Sequence, residues 1–288
     1  MIGKTQIIWR CRGREVVCGQ KTLIMGILNV TPDSFSDGGK FQALETAVAR
    51  GLQMVAEGAD IIDIGGESTR PGAKPVPAAE EMARTVPVIR ELREKTDVLI
   101  SIDTRKAEVA RAAIAAGADI INDISALADP GMAAVAAETG AGLVLMHMLG
   151  TPETMQNDPR YADVVSDVRN FLEERMAFAV AGGIAPEQIT LDPGIGFGKT
   201  DEHNLALLNG IQALAAAGRP VLIGASRKGF IGRMLGGGPD GRLAGSLAVA
   251  AFSILRGAQI LRVHDVKESC DAARLVDTLR TNELAAQY

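Results

Sequence analysis

Polar side chains recur at the ends of the apolar stretches that we predict to be β-strands. Carboxylates and amides at such positions suit the donor and acceptor edge of a flat heterocycle. Arg262 and His264 are two residues apart on one predicted strand, so they project to the same side and suit an anionic group such as a diphosphate. A polar strand-end residue can instead cap a helix or tighten a turn, and we favour that structural role for Asp63 and His147. The full set is Asn29, Asp63, Asp103, Asn122, His147, Asp192, Lys228, Arg262 and His264.

Eight strands alternating with helices would bring these side chains together. The stretch 23–28 is almost continuously apolar, as in a strand buried on both faces, and turn-forming residues follow it up to residue 39. Three units repeat a helix-ending Gly, apolar strand residues and a polar residue: Gly58–Asp63, Gly117–Asn122 and Gly257–Arg262. We predict an α/β fold, a single (β/α)8 TIM barrel whose strand ends meet at one mouth. A doubly wound open sheet is the alternative, but the even spacing of the units favours the barrel.

The first 20 residues are expected to precede the barrel. Their loose alternation around Arg12–Arg14 predicts a short β-hairpin. We therefore divide the chain into an N-terminal hairpin extension, residues 1–20, and a barrel domain, residues 21–288.

Composition narrows the class of function. A net charge of −5 and a pI near 5.4 argue against a nucleic-acid partner. No apolar run approaches the roughly 18–20 residues that a membrane span requires, so we expect no membrane partner. The N-terminus lacks a signal-peptide core, and the three cysteines are few and without metal-like spacing. We expect reduced thiols and a cytoplasmic protein.

Two motifs are incomplete, and two familiar hydrolase patterns find no support. The segment Gly194–Thr200 resembles a nucleotide P-loop, but Pro193 stands where that pattern needs glycine. The dinucleotide fingerprint would need glycine where Lys199 stands. The three histidines lie on separate elements, which disfavours a zinc hydrolase, and no Gly-x-Ser-x-Gly elbow marks a serine nucleophile.

Six long motifs, in order over about residues 20–270, carry a resemblance to a known family. They are residues 26–38 (GILNVTPDSFSDG), 63–72 (DIGGESTRPG), 101–104 (SIDT), 192–199 (DPGIGFGK), 226–230 (SRKGF) and 262–264 (RVH). The sequence resembles the dihydropteroate synthase family of pterin-binding barrels. The resemblance implies two small-molecule substrates, 6-hydroxymethyl-7,8-dihydropterin diphosphate and p-aminobenzoate, which are joined with release of pyrophosphate. It also implies a homodimer.

The resemblance assigns most of the strand-end residues to the pterin diphosphate. Asp103, Asn122, Asp192 and Lys228 would bind the pterin ring, and Arg262 would stack on its face while reaching the diphosphate. The family uses Mg²⁺ on that diphosphate, with Asn29 as the nearest protein ligand. The pterin diphosphate set is Asn29, Thr69, Asp103, Asn122, Ile124, Met146, Asp192, Gly196, Lys228, Arg262 and His264.

By the same resemblance, the first two loops complete the p-aminobenzoate pocket. Arg70 and Ser226 are the candidates to receive its carboxylate. Residues 31–39 would form a mobile lid. The p-aminobenzoate set is Phe35, Thr69, Arg70, Pro71, Phe197 and Ser226.

The implied reaction needs no enzyme nucleophile. We expect a dissociative (SN1-like) substitution in which the arylamine attacks the pterin methylene carbon as diphosphate leaves. The catalytic set is Asp103, Asp192, Lys228, Arg262 and His264. Two alternatives stay open: a methyltetrahydrofolate:corrinoid methyltransferase, which builds a similar barrel, and a non-catalytic pterin-binding paralogue.

Overall fold

The computed structural model describes residues 6–30 and 40–281. Two short antiparallel strands, β1 (Ile7–Cys11) and β2 (Arg14–Cys18), form the predicted hairpin. Eight parallel strands follow, and each pairs with its neighbour in the chain. They are β3 (Leu23–Asn29), β4 (Ile61–Gly65), β5 (Leu99–Asp103), β6 (Ile120–Asp123), β7 (Gly142–Met146), β8 (Ile189–Asp192), β9 (Leu222–Ile223) and β10 (Ile260–Val263).

The sheet closes on itself. Strand β10 pairs with β3, and a parallel bridge between Leu191 and Val221 joins β8 to β9. An open doubly wound sheet would leave two unpaired edges, whereas here every strand has two neighbours. The predicted (β/α)8 barrel is confirmed.

Helices cover the outside of the barrel. They are α1 (Lys40–Ala56), α2 (Ala78–Lys95), α3 (Ala107–Ala116), α4 (Met132–Thr139), α5 (Val164–Ala181), α6 (Asp201–Asn209), α7 (Ile211–Ala215), α8 (Gly229–Leu235), α9 (Leu243–Leu255) and α10 (Val266–Thr281). Helix α3 ends at Gly117, whose φ of 117° few side chains tolerate, so the predicted glycine stop is confirmed there. None of the helices in the described ranges is long and apolar enough to cross a membrane.

The sequence pattern of residues 204–217 predicts one helix, but in the structure this segment is divided. It forms α6 and α7, separated at Gly210, which lies against the side chain of Val165. Helix α8 was not predicted, because its seven residues are too short to show a clear period.

The barrel interior has an apolar lower layer and a polar upper layer. Side chains alternate along a strand, so Ile61 and Asp63 of β4 both point inward, one above the other. Met25, Leu99 and Ile260 belong to the same buried apolar cluster as Ile61. The polar layer lies towards the carboxyl ends of the strands, where the site forms.

The hairpin closes the lower end of this barrel. Trp9 is fully buried, and its indole Nε1 donates to the carbonyl oxygen of Gln188 at 2.8 Å. The guanidinium of Arg12 donates to the carbonyl oxygens of Ile114 and Ala118. A side chain added at Gly142 would lie 2.6 Å from the sulfur of Cys11, so hairpin and strand are in close contact. The boundary at residue 20 stays a prediction.

Candidate functional site

Arg262 lies at the centre of the polar layer. Its Nε donates to Oδ2 of Asp63 at 2.6 Å, and its Nη2 donates to Oδ2 of Asp103 at 2.6 Å. The amide of Asn122 also donates to Oδ2 of Asp63, at 3.1 Å. Two carboxylates, from β4 and β5, therefore bind one guanidinium, and Asn122 of β6 is joined to it through Asp63.

Asp63 holds two other side chains of the site, which is more than the helix-capping or turn-forming role that we favoured from the sequence. It is fully buried and holds both Arg262 and Asn122, two residues expected to bind the pterin. The repeat that places Asp63, Asn122 and Arg262 at equivalent strand ends was the available signal, but it did not reveal their pairing.

Three buried oxygen atoms around Arg262 have no hydrogen-bond partner among the described residues. They are the Oδ1 atoms of Asp63, Asp103 and Asn122. Buried polar atoms are rarely left unpaired, because an unmade hydrogen bond costs about 1–3 kcal/mol. These atoms can accept hydrogen bonds from the amino and ring N–H groups of a flat heterocycle.

Burial shifts the pKa values of the two carboxyl groups Asp103 and Asp192. It raises the pKa of Asp103 to about 7, against the opposing charge of Arg262 and with a contribution from Asp63. Burial likewise raises the pKa of Asp192 to about 6, although the N–H of Gly194 donates to its Oδ1 at 2.7 Å. Both carboxyls therefore gain or lose a proton near neutral pH.

The pKa values of the two buried cations, Lys228 and Arg262, shift in opposite directions. Burial, and then repulsion by Arg262, lowers the pKa of Lys228 to about 8. Burial also opposes the charge of Arg262, but Asp63 and Asp103 raise its pKa above the ordinary value. Arg262 therefore keeps its charge throughout the physiological pH range, whereas Lys228 loses its charge as the pH rises past about 8.

His264 contacts Ser226 twice. The backbone N–H of His264 donates to the hydroxyl oxygen of Ser226 at 3.2 Å, and the ring Nδ1 lies 3.1 Å from the same oxygen. Burial, and then the charge of Arg262, lowers the pKa of His264 to about 4, so the ring is neutral at pH 7. If Ser226 donates to Nδ1, the Nε2–H of His264 can donate to an anion.

The loop after β8 is held from several sides. Lys199 is buried, and its Nζ lies within 2.9 Å of both His147 Nδ1 and the Phe197 carbonyl oxygen. The Nζ of Lys228 lies 3.9 Å from the ring centroid of Phe197. Gly196, with a φ of 82°, lies beside the Lys228 side chain. His147 thus orders this loop, in keeping with the structural role expected for it.

An apolar wall borders the polar groups. Ile124 and Met146, both expected to be pterin contacts, form a buried cluster with Phe197. Met155 belongs to the same cluster and was not singled out from the sequence. It lies in the irregular segment between β7 and α5, where no periodic pattern marks a core position.

The second loop lies at the rim of the mouth. Thr69 is half-buried, whereas Arg70 and Pro71 are exposed. The N–H of Gly72 donates to the carbonyl oxygen of Pro152 at 3.0 Å, which connects this loop to the segment after β7. Phe35 and the lid predicted for residues 31–39 lie outside the described residues.

Asn29 ends β3 with an exposed side chain. Its Oδ1 lies near Gly65 of the neighbouring strand. Within residues 6–30 and 40–281, no three His, Cys, Asp or Glu side chains form a metal-binding group. An amide oxygen is a suitable Mg²⁺ ligand, and magnesium commonly keeps waters and leans on substrate phosphates. The donor set therefore fits a magnesium ion held mainly by a bound diphosphate.

Comparison with known proteins identifies the family. Residues 25–264 match the family described as pterin binding enzyme. The dihydropteroate synthase of Synechocystis sp. is 48% identical over 280 residues, which cover 96% of this chain and 94% of that protein. The chain belongs to the dihydropteroate synthase family.

Solved structures of this family have the same architecture. That of the Xanthomonas albilineans dihydropteroate synthase with 4-aminobenzoic acid has a TM-score of 0.90 and 46% identity, and it covers 96% of this chain and 99% of that one. A complex of the Xanthomonas albilineans enzyme with 7,8-dihydropteroate has a TM-score of 0.85 and 44% identity, covering 94% and 98%. These relatives favour the synthase over the corrinoid methyltransferase and the non-catalytic paralogue.

Proposed function

We propose that this chain joins 6-hydroxymethyl-7,8-dihydropterin diphosphate to p-aminobenzoate, giving 7,8-dihydropteroate and pyrophosphate. The observation that carries the proposal is the arrangement around Arg262. One permanent cation lies among buried acceptors with unused hydrogen-bonding capacity, which suits a flat donor-rich ring joined to an anion. Relatives of this chain are named for that reaction.

The pterin ring is proposed to bind in the polar layer. Oδ1 of Asp103 and Oδ1 of Asn122 accept from its N–H groups, and Asp192 provides a further acceptor. Lys228 donates to the ring carbonyl. Ile124, Met146 and Gly196 complete the pocket, the first two as apolar walls.

The diphosphate is proposed to lie beside Arg262 and His264, with Thr69 and Asn29 at its outer side. His264 is neutral at pH 7, so it contributes a hydrogen bond rather than a charge. Asn29 would hold Mg²⁺ through its amide oxygen. The ion would neutralise charge that develops on the departing diphosphate.

The p-aminobenzoate is proposed to bind nearer to solvent. Thr69, Arg70, Pro71 and Phe197 contribute to its pocket, with Phe35 from the first loop. Arg70 is the stronger candidate for the carboxylate, since the Ser226 hydroxyl is already bonded to His264.

The substitution is proposed to be dissociative. The bond between the methylene carbon and the diphosphate oxygen breaks, and its electron pair leaves with the diphosphate. The amine lone pair of p-aminobenzoate then forms the new carbon–nitrogen bond, and the amine proton passes to solvent. Ionised Asp103 and Asp192 stabilise the cationic pterin electrostatically.

A homodimer and a cytoplasmic location are further parts of the proposal. Helices α9 and α10 pack together and expose Leu255, Leu275 and Leu279, an apolar surface suited to self-association. Sedimentation velocity would show a dimer for wild type and a monomer for Leu279→Glu, while Leu205→Glu on α6 would stay dimeric. The three free cysteines suit a reducing compartment.

A pyrophosphate-release assay tests the activity. The protein is mixed with the pterin diphosphate and Mg²⁺, with and without p-aminobenzoate. Release that depends on p-aminobenzoate supports the synthase. Pterin diphosphate binding without such release would support the non-catalytic paralogue instead.

A further inference from the structure

Glu67 closes the base of the second loop. It lies two residues beyond β4 and is 8% exposed. Its Oε2 accepts a hydrogen bond from the backbone N–H of Val76, nine residues along the chain, at 2.7 Å. One carboxylate therefore joins the two ends of segment 68–75.

Two cations from a different strand end bind the same carboxylate. Arg105 Nε donates to its Oε1 at 3.0 Å, and Lys106 Nζ donates to its Oε2 at 2.6 Å. Lys106 also donates to Glu81 in the first turn of α2, at 2.5 Å. The second loop is thus attached to the segment after β5 and to the helix that follows the loop.

The charge of Glu67 is maintained by these contacts. Burial alone would raise its pKa, but the hydrogen bonds from Lys106 and Val76 and the charge of Arg105 together bring the pKa below its usual value. The carboxylate is therefore ionised at neutral pH. Charge-assisted hydrogen bonds of this kind are stronger than neutral ones.

The positions of these partners connect the two substrate sites. Arg105 and Lys106 come two and three residues after Asp103, which contacts Arg262 in the polar layer. Segment 68–75 carries Thr69, Arg70 and Pro71, all at the rim. Glu67 therefore spans from the deep site to the outer one without belonging to either.

We propose that Glu67 is a positioning residue for the p-aminobenzoate site, holding segment 68–75 through Val76, Arg105 and Lys106. The inference rests on the proposed function, because that function places p-aminobenzoate against this segment. The carboxylate contacts no substrate. Its loss loosens the outer pocket and leaves the pterin pocket intact.

The variant Glu67→Gln tests this role because it removes the charge and keeps the shape. We expect KM for p-aminobenzoate to rise about tenfold, in line with the loss of one or two charge-assisted hydrogen bonds, while kcat stays within about threefold. Calorimetry should give an unchanged Kd for the pterin diphosphate. The matched control is Glu91→Gln, which removes an exposed ion pair with Lys95 on α2 and should change neither quantity.

Hydrogen exchange provides a readout that does not require turnover. Peptides covering residues 68–76 should exchange faster in Glu67→Gln than in wild type, with no change in peptides of β5. If Glu67→Gln fails to fold, Arg105→Gln replaces it, since it removes one of the cations and leaves the carboxylate bound to Val76 and Lys106. It should show the same pattern at smaller amplitude.

Two results would overturn the inference: an unchanged KM for p-aminobenzoate with unchanged exchange, or an equal loss of pterin binding. Failure of the proposed function looks different. In that case wild type itself shows no p-aminobenzoate-dependent release, whereas the exchange comparison still reports whether Glu67 holds the segment.

Discussion

The Nε of Arg262 donates to Oδ2 of Asp63 at 2.6 Å, and this ion pair joins β10 to β4 inside the barrel. Asp63 is fully buried, so its charge is compensated mainly by Arg262. The bond also directs the second guanidinium nitrogen, Nη2, towards Asp103. The orientation of Arg262, the cation that we propose binds the diphosphate, thus depends on a residue deep in the polar layer.

Asp63→Asn should therefore impair pterin binding. Without the carboxylate, Arg262 loses its fixed orientation, and we expect KM for the pterin diphosphate to rise at least about tenfold. Breaking a buried ion pair also costs about 3–5 kcal/mol of unfolding free energy when the other charge stays in place. Steady-state kinetics and urea unfolding measure the two effects. Glu138→Gln, which removes an exposed ion pair with Arg111, should leave both unchanged.

Asp103→Asn tests the electrostatic role of that carboxylate. With saturating pterin diphosphate, we expect kcat to fall about 10²-fold, because the amide cannot stabilise the cationic pterin by charge. Single-turnover measurements would separate this from binding. Turnover near that of wild type, with only weaker binding, would exclude the charge-stabilising role.

The pH dependence of kcat/KM for the pterin diphosphate should be bell-shaped. Asp192 and Asp103 have pKa values raised to about 6 and about 7, so their stabilising charges appear as pH rises through that range. Lys228 has a pKa lowered to about 8, so its donor cation is lost above that pH. We expect activity to rise from pH 5 to 7 and to fall beyond pH 8.

Lys228→Arg separates the two limbs. Arginine keeps its proton throughout this range, so the decline above pH 8 should disappear, whatever the effect on the absolute rate. The rise between pH 5 and 7 should remain. A decline that persists in Lys228→Arg would assign the upper limb to another group.

Trp9→Ala should lower stability and spare the chemistry. It leaves a large cavity at the lower end of the barrel and removes the bond to Gln188, so we expect a loss of about 3–5 kcal/mol in unfolding free energy. Urea denaturation measures it. Below the unfolding transition, KM for both substrates should match wild type, since the polar layer lies at the other end. Val180→Ala, at an exposed position of α5, is the control.

Much of the fold could be predicted because each unit carries a local signal. Strand β3 covers the apolar stretch predicted at residues 23–28, and Gly117 ends α3 where a glycine stop was expected. The break between α6 and α7 could not be predicted from the sequence. It occurs at Gly210, which packs closely against the side chain of Val165, a residue 45 positions away in the chain. Local patterns report the period of an element, whereas tertiary contacts decide where it is interrupted.

The site likewise has features that local sequence indicates and features that only tertiary contacts decide. Strand-end polarity indicated Asn122, Asp192 and Arg262, because parallel strands bring their ends to one mouth. The pairing of Arg262 with Asp63 spans 199 positions, and no spacing within either strand encodes it. Met155 was likewise missed, since it joins the apolar wall from an irregular segment.

Because the hairpin covers the lower end, the described residues leave the barrel open only at its mouth. Asp63 and Asn122 lie deep in the barrel, while Arg70 and Pro71 lie at the rim of its mouth. Two ligands that share one entrance must leave in the reverse of the order in which they bind. We therefore expect the pterin diphosphate to bind before p-aminobenzoate, and a compound at the outer position should slow dissociation of the ligand beneath it.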